Sequence, residues 1–436
     1  MQKTHFPDNI PFRTGRPLSA TALAVLGLLV LIGAGAAIFA GVAGETERMW
    51  QALLVNWLFW SSIAIGMVIF AVALHITEAD WAWAVRRTAM AGVGFLPFAF
   101  ILFIVVLFGY EHFFQEWLAV GRGEVEDAIV ERKLPWLNMP FLVTRNVLAV
   151  LILFGLAFAF VYRDIRPDVY GAGHDRHRGL YDRITGRNWR GAKEEALHTR
   201  RVLAWLAPVF GLLFAVLWGM VGMDMVMTME AHWFSTMFPV AFFVTSFVAG
   251  IAATAIALTW FRGAGAGLRP FLTRDTYHDL GKLVFAFAAF WMYINWSQYI
   301  VIWYAMWPHE QAWMIDRLNP PYDTLVLLTV ILIFVLPFFG LLAREPKKIP
   351  ALLSMFAGFI LVGIWLERFL IVVPSIWPVE LGLPLGLMEL GVTVGFGALF
   401  VGSYLWAASM IPLLPSPATL EARKPVVEAS EVMARD

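Results

Sequence analysis

The chain contains no cysteine, and that one absence removes a large share of redox and metal chemistry. Disulfides, zinc–thiolate sites, cysteine-ligated iron–sulfur clusters and thioether-linked haem all need the thiol. Histidine is also scarce, with nine residues: His5, His75, His112, His174, His177, His198, His232, His278 and His309. Only His75 and His278 fall in or beside an apolar run, a poor supply for a membrane cytochrome that clamps haem between facing imidazoles. No redox centre or metal site is expected on this chain itself. Charge is the third shortage. Only 15% of residues are Asp, Glu, Lys or Arg, against about 25% in soluble domains. Lys plus Arg equals Asp plus Glu, so there is no basic surface of the kind that binds nucleic acid.

What is abundant is apolar length: 60% of the residues are hydrophobic. A membrane helix needs about 20 mainly apolar residues, and such runs occur near 18–43, 52–76, 88–110, 141–162, 203–227, 236–261, 279–305, 323–343, 350–373 and 387–411. The expected fold is an all-α polytopic membrane protein of about ten transmembrane helices. The first run is longer than the apolar core of a signal peptide and reads as an uncleaved helix. Pro97 and Pro208 fall inside runs, which helical bundles tolerate. No repeat of fixed period is visible.

The distribution of basic residues orients the chain. With the N-terminus inside, inside segments hold 25 Lys and Arg and outside segments hold 7, the bias expected of cytoplasmic loops. The expectation is therefore N-in and C-in. Residues 1–17 would form a cytoplasmic segment, 18–411 one helical membrane domain and 412–436 a disordered polar tail. The inside loop 163–201 is rich in Arg and His and reads either as a headgroup-contacting loop or as a docking surface. The outside loop 111–140 reads as short amphipathic pieces at the interface. Gly263–Gly267 lacks the Lys and Ser/Thr of a phosphate loop and reads as a turn. Neither nucleophilic triads nor metal-spaced His and carboxylate motifs are present. Many of the Trp, Tyr and Phe residues sit at run ends, as an aromatic belt does.

Ionisable groups inside a span cost at least ~2.5–3.5 kcal/mol near the bilayer centre, so each calls for a functional hypothesis. The run from Tyr277 to Ala305 is the richest. At ~100° per residue, His278, Asp279, Lys282, Tyr293, Ser297 and Tyr304 share one ~100° arc. That stripe is either a buried hydrogen-bonded seam or part of a proton path, and it is expected to face the inside of a bundle. A second cluster, Asp224, Glu230 and His232, lies near the outer face and reads as a proton exit or as a capped, solvated loop. The dense Met223, Met225, Met227 and Met229 read as packing filler. In Trp365-Leu366-Glu367-Arg368, one of the two charged residues is expected to pair across to another helix. His75, Glu78 and Asp80 could admit protons from the inside, and Asn56 and Glu389 are further buried polar candidates.

Three segments in order, MDMVMTMEAHWFSTMFP, YHDLGKLVFAFAAFWMYINWSQYIVIWYA and LERFLIVVPS, resemble the NrfD-like membrane subunits of bacterial alternative complex III. The resemblance extends over nearly the whole membrane region. It implies two four-helix bundles with flanking helices, within a quinol oxidoreductase that passes electrons to cytochrome c or directly to an oxidase. It also implies as partners a sister NrfD-like subunit, an iron–sulfur protein and multihaem cytochrome c subunits, with a terminal oxidase as a further candidate. Haem c and iron–sulfur clusters would then reside in those other subunits. In such complexes quinol oxidation is attributed mainly to the sister subunit, so this chain would be a non-catalytic, structural and proton-conducting member. Carried over by residue, His278, Asp279, Lys282 and Tyr293 are relay positions, with Asp224, Glu230 and His232 on the outer side. Two other functions compete. One is a quinol-binding anchor of the polysulfide-reductase type, with a quinone pocket near Asp224, Glu230 and His232. The other is a stand-alone secondary transporter, although the paired helix breaks typical of transporters are absent.

Overall fold

The structure is a computed structural model that describes residues 12–170, 177–186, 188–263 and 268–422. Among the described residues there is no strand. Nine helices are long and apolar enough to cross a membrane: α1 (Ala20–Val42), α2 (Thr46–Ile76), α3 (Asp80–Leu107), α4 (Met139–Asp168), α5 (Ala192–Met229), α6 (Phe238–Gly263), α8 (Asp323–Gly340), α9 (Pro350–Ser375) and α10 (Leu387–Ala408). Between α6 and α8 runs α7 (Arg274–Ala305). Its 32 residues span about 48 Å at 1.5 Å per residue, but Asn295, Ser297 and Gln298 dilute its apolar character. Every expected run is a helix, while the count secured by length and apolarity is nine. The chain is a polytopic α-helical membrane protein.

Helix α2 is the centre, buried around nearly its whole circumference. It packs against α3 and α5 on one side and, most extensively, against α6 on the other. Helix α6 in turn contacts α7 and α9, and α8 contacts α9. Helices α1 and α10 pair with each other. Small residues create these close approaches, as membrane bundles require. A Cβ built on Gly66 of α2 would lie 1.9 Å from the carbonyl oxygen of Ser246 on α6, and one on Gly250 would lie 2.1 Å from the Gly66 carbonyl carbon. Likewise, a Cβ on Gly33 of α1 would sit 2.6 Å from Gly395 Cα on α10. Gly66→Ala is therefore expected to force the α2–α6 crossing apart. The folded, monodisperse fraction after detergent extraction should fall at least severalfold, since overpacking against backbone costs about 1–3 kcal/mol or more; size-exclusion profiles report it.

Prolines leave their mark on the helix geometry. Pro97 follows a 3₁₀ stretch at Ala91–Phe95, Pro208 precedes a π stretch at Phe214–Trp218, and Pro337 follows another at Ile331–Val335. Irregular turns of this kind are where long helices bend.

The loop 111–140 folds as short helices, Tyr110–Phe113, Gln115–Gly121 and Ala128–Glu131, burying Phe113, Phe114, Trp117 and Val130. Asp127 caps the last of these. The backbone N–H groups of Val130 and Ile129 hold its carboxyl below the usual carboxylate range.

On the opposite face, Arg86 pairs with Asp164 (3.1 Å), Arg87 with Asp164 (3.2 Å) and Asp168, and Arg166 with Glu195 (2.9 Å). Asp168 also accepts from the Ser416 backbone N–H (2.8 Å) and the Thr419 hydroxyl (2.6 Å). Leu413 and Leu414 are buried, and the helix Pro417–Glu421 packs on α5. The expected disordered tail is thus folded as far as Ala422, and residues 423–436 lie outside the described set. So do residues 1–11, most of the Gly263–Gly267 turn, and residues 171–176 and 187 of the Arg- and His-rich loop. The helix Arg178–Thr185 of that loop folds back on the chain: Tyr181 is buried, its hydroxyl donates to the Met410 carbonyl (2.8 Å), and burial pushes its pKa up to about 12.

Candidate functional site: a buried carboxyl between two cavities

The sequence LERFL in α9 places two charged side chains about 100° apart, and both are buried. Glu367 turns toward α6 and α7. Its Oε1 accepts from the Thr245 hydroxyl (3.2 Å) and from the Trp291 indole N–H (3.3 Å). Its Oε2 is buried with no hydrogen-bond partner among the described residues. Arg368 lies over the Phe242 ring at 4.3 Å and donates to the Phe242 carbonyl (3.3 Å) and the Ser246 hydroxyl (3.4 Å). That hydroxyl also accepts from Trp218 Nε1 (2.9 Å) and lies 3.0 Å from the Ser62 hydroxyl. The expectation that Glu367 or Arg368 pairs with an opposite charge on another helix is corrected: neither forms an ion pair among the described residues. Each is held by neutral donors or acceptors. A buried carboxyl with one oxygen unsatisfied is costly, and it is also suited to taking up and releasing a proton.

Glu367 lines a cavity of about 270 Å³ together with Trp291, Asn295, Gln298, Trp313 and Arg317 among others; this outer cavity lies toward the end of the bundle expected to be outside. Its roof is Arg317, on the outer helix Pro308–Leu318. The guanidinium stacks on Trp313 at 3.8 Å and donates to the carbonyls of Trp313 (2.7 Å) and Leu370 (2.9 Å) and to Glu230 (3.3 Å). Burial pulls the Arg317 pKa down to about 10, with Glu230 opposing the shift. Glu230 also accepts from the Ser375 hydroxyl (2.6 Å) and lines an outer pocket of about 410 Å³ with His112, Gln115 and Glu116.

A separate inner cavity of about 640 Å³, which Glu367 does not line, opens toward the end of the bundle expected to lie inside. Glu78, Asp80, Asp279 and Lys282 give it a charged mouth, and Phe70, Phe247 and Phe287 close its deep end. The Phe247 and Phe287 rings meet at 4.9 Å between centroids. Phe287 bounds the inner cavity while Trp291 bounds the outer one and bonds Glu367. These two residues are four apart on α7, one helical turn or about 6 Å along a single face.

The sequence candidates divide accordingly. Asp279 and Lys282 form an ion pair (2.6 Å) in the inner cavity, with His278 Nδ1 3.7 Å from Asp279. Glu367 lines the smaller cavity, and Glu230 contacts Arg317 and Ser375 at its edge. The rest of the α7 stripe is corrected: it does not face inward in this chain. Tyr293 is 64% exposed and Tyr304 83%, and the Ser297 hydroxyl bonds back to the Tyr293 carbonyl (2.7 Å). The buried face of α7 is instead Tyr277, Gly281, Val284, Ala288, Trp291 and Gln298.

Asp224 is neither solvated nor an open exit. It is fully buried and gripped by Arg145 through Nε (2.6 Å) and Nη2 (2.7 Å), with Asn146 adding a third bond (2.7 Å). His232 sits apart on the outer loop, 2.7 Å from Asp127 and 3.3 Å from Glu116. His75 turns to Arg86 (3.1 Å) and does not line the inner cavity. Asn56 bonds the Ala52 carbonyl (2.9 Å) and Trp365 (3.3 Å), and Glu389 pairs with Arg48 (2.7 Å).

Sequence reasoning missed Thr245, Trp291, Gln298, Arg145 and Arg317. Compared with known proteins, the chain matches no family model and no curated protein.

Proposed function

We propose that this chain is an electron-inert integral membrane subunit of a quinol-oxidising respiratory complex of the alternative complex III type, and that it conducts protons between helices α6, α7 and α9. In this reading the chain sits N-in and C-in in a bacterial inner membrane. Helices α2–α5 and α6–α9 form the two four-helix bundles, with α1 and α10 flanking them. The sister subunit, iron–sulfur protein and multihaem cytochromes supply the electron carriers. The three segments that resemble NrfD-like subunits support the placement in a complex. The observation that carries the proton route is local: one buried carboxyl, Glu367, stands where two cavities approach within a single helical turn.

The route then has three parts. Protons gather at the charged mouth of the inner cavity, pass the Phe247–Phe287 contact to Glu367 when water enters, and leave through the outer cavity past Arg317 and Glu230. Phe287 is the barrier, so Phe287→Ala is expected to raise passive proton leak severalfold. Removing the ring takes away one of the two aromatic walls between the inner cavity and Trp291. A pH-sensitive dye trapped in liposomes carrying the purified chain measures that leak, and an unchanged rate would remove the aromatic barrier from the route.

Membership of the complex is tested by mild-detergent purification of the chain from native membranes. Haem-containing and iron–sulfur subunits should co-isolate with quinol-oxidising activity. Isolation of the chain alone with transport activity would overturn the assignment.

The outer cavity favours a second reading, a quinol-binding anchor. It is apolar and aromatic with a few convergent polar groups, the composition of small-molecule sites. It lies at Asn295, Gln298 and Glu367, not at the Asp224–His232 cluster.

A further inference from the structure

A larger cavity lies away from the proposed proton route. Only Gly33, Ala37 and Ala40 of α1 are buried, all in its C-terminal half. The N-terminal half stands off the body of the chain, and behind it runs a groove of about 990 Å³. Its floor is Trp60, Ile63 and Met67 of α2, and its walls include Val25 of α1, Ile256 of α6 and Phe400 of α10. At the end nearest the N-terminus the groove becomes polar, with Arg16, Ser19, Thr21 and the interfacial Trp260.

We propose that this groove binds an anionic phospholipid, its acyl chains lying along α2 and its phosphate meeting Arg16. The size is at the upper end of ligand sites, and the lining suits hydrocarbon, not a polar solute. The backbone that carries the cation is held in place. One residue before it, the Gly15 N–H donates to the Ala408 carbonyl (2.9 Å), and the Leu413 N–H donates to the Arg13 carbonyl (2.7 Å). This strap fixes the backbone at the groove's end. The Arg16 side chain is exposed and, among the described residues, has no ion-pair or hydrogen-bond partner. An unpaired guanidinium on a fixed backbone, at the end of an apolar groove, complements a lipid phosphate. The inference rests on the chain being a membrane protein and not on its place in a respiratory complex or on the proton route.

Native mass spectrometry of the detergent-purified, delipidated protein tests it, with phosphatidylglycerol and phosphatidylcholine of identical chains as probes. The wild type should retain phosphatidylglycerol about fivefold or more over phosphatidylcholine, the factor that one Arg–headgroup contact supplies. Arg16→Gln should erase that preference while leaving phosphatidylcholine retention unchanged. Ala257→Phe, which fills the groove wall, should lower retention of both lipids. Equal retention of the two lipids by the wild type would overturn the proposal. So would an Ala257→Phe protein that folds and still binds as before, or a partner helix co-purifying in the groove in place of lipid.

Discussion

Under the proposed function, Glu367→Gln is expected to lower proton flux through the chain at least tenfold while the assembled complex keeps oxidising quinol near its normal rate. The substitution changes little but acidity. An amide of the same shape still offers an oxygen to Thr245 and Trp291, which contact the carboxyl at 3.2 and 3.3 Å, so the packing of α6, α7 and α9 should survive. What is lost is the ability to hold and then release a proton, and a tenfold slowing corresponds to a barrier raised by about 1.4 kcal/mol. Glu367→Asp keeps the acid but shortens its reach, and should retain part of the flux. Purified complex in liposomes, with internal pH and electron transfer followed together, separates the possibilities. Loss of proton movement with electron flow intact supports the route. Collapse of turnover together with weakened quinol affinity would make the outer cavity a quinol site. No change in either would leave Glu367 a structural residue and end the proposed path.

The helices were legible because lipid demands long apolar runs, and every one of the ten expected runs is helical in the structure. Which face of a helix points inward was less legible. Polar residues at a shared angle define a stripe, and on α7 the stripe from Lys282 through Tyr293 to Tyr304 turned out to be the outer face beyond its first turns. The inward face carried a different signal. Gly281 and Ala288 are seven residues apart, and a Cβ on Gly281 would meet Lys347 Cβ at 2.8 Å. Smallness, not polarity, marked the helix contact, because close approach requires it whereas a hydroxyl can also face a neighbouring chain. Glu367 was readable as a buried acid. Its neutral partners were not, because Thr245 and Trp291 stand 122 and 76 residues away and no periodicity links them. Arg317 and Arg145 were not legible for a related reason: among the seven basic residues of the segments expected outside, nothing in the sequence marks these two as partners of Glu230 and Asp224.

That pairing sets the second large expectation, which concerns stability and not transport. Arg145→Met should cost about 3–5 kcal/mol, because it strands Asp224 as a fully buried charge after removal of its two-pronged partner. Asn146, at 2.7 Å, can satisfy one oxygen but brings no positive charge. Asp224→Leu alone should also destabilise, leaving the guanidinium with the Trp136 carbonyl at 2.8 Å and the Trp136 and Phe141 rings at 4.2 and 4.6 Å. Replacing both at once, Arg145→Met with Asp224→Leu, should recover most of the loss, since an apolar pair of similar volume is often as stable as the buried ion pair it replaces. Denaturant unfolding of the purified protein in detergent reads all three variants, and proton flux in liposomes supplies the contrast. The double variant should fold and conduct like the parent, which places Asp224 in the scaffold that joins α4 to α5. If instead Asp224→Asn leaves stability unchanged and proton flux falls, Asp224 belongs to the path, and the outer exit lies at Arg145 and not at Arg317 and Glu230.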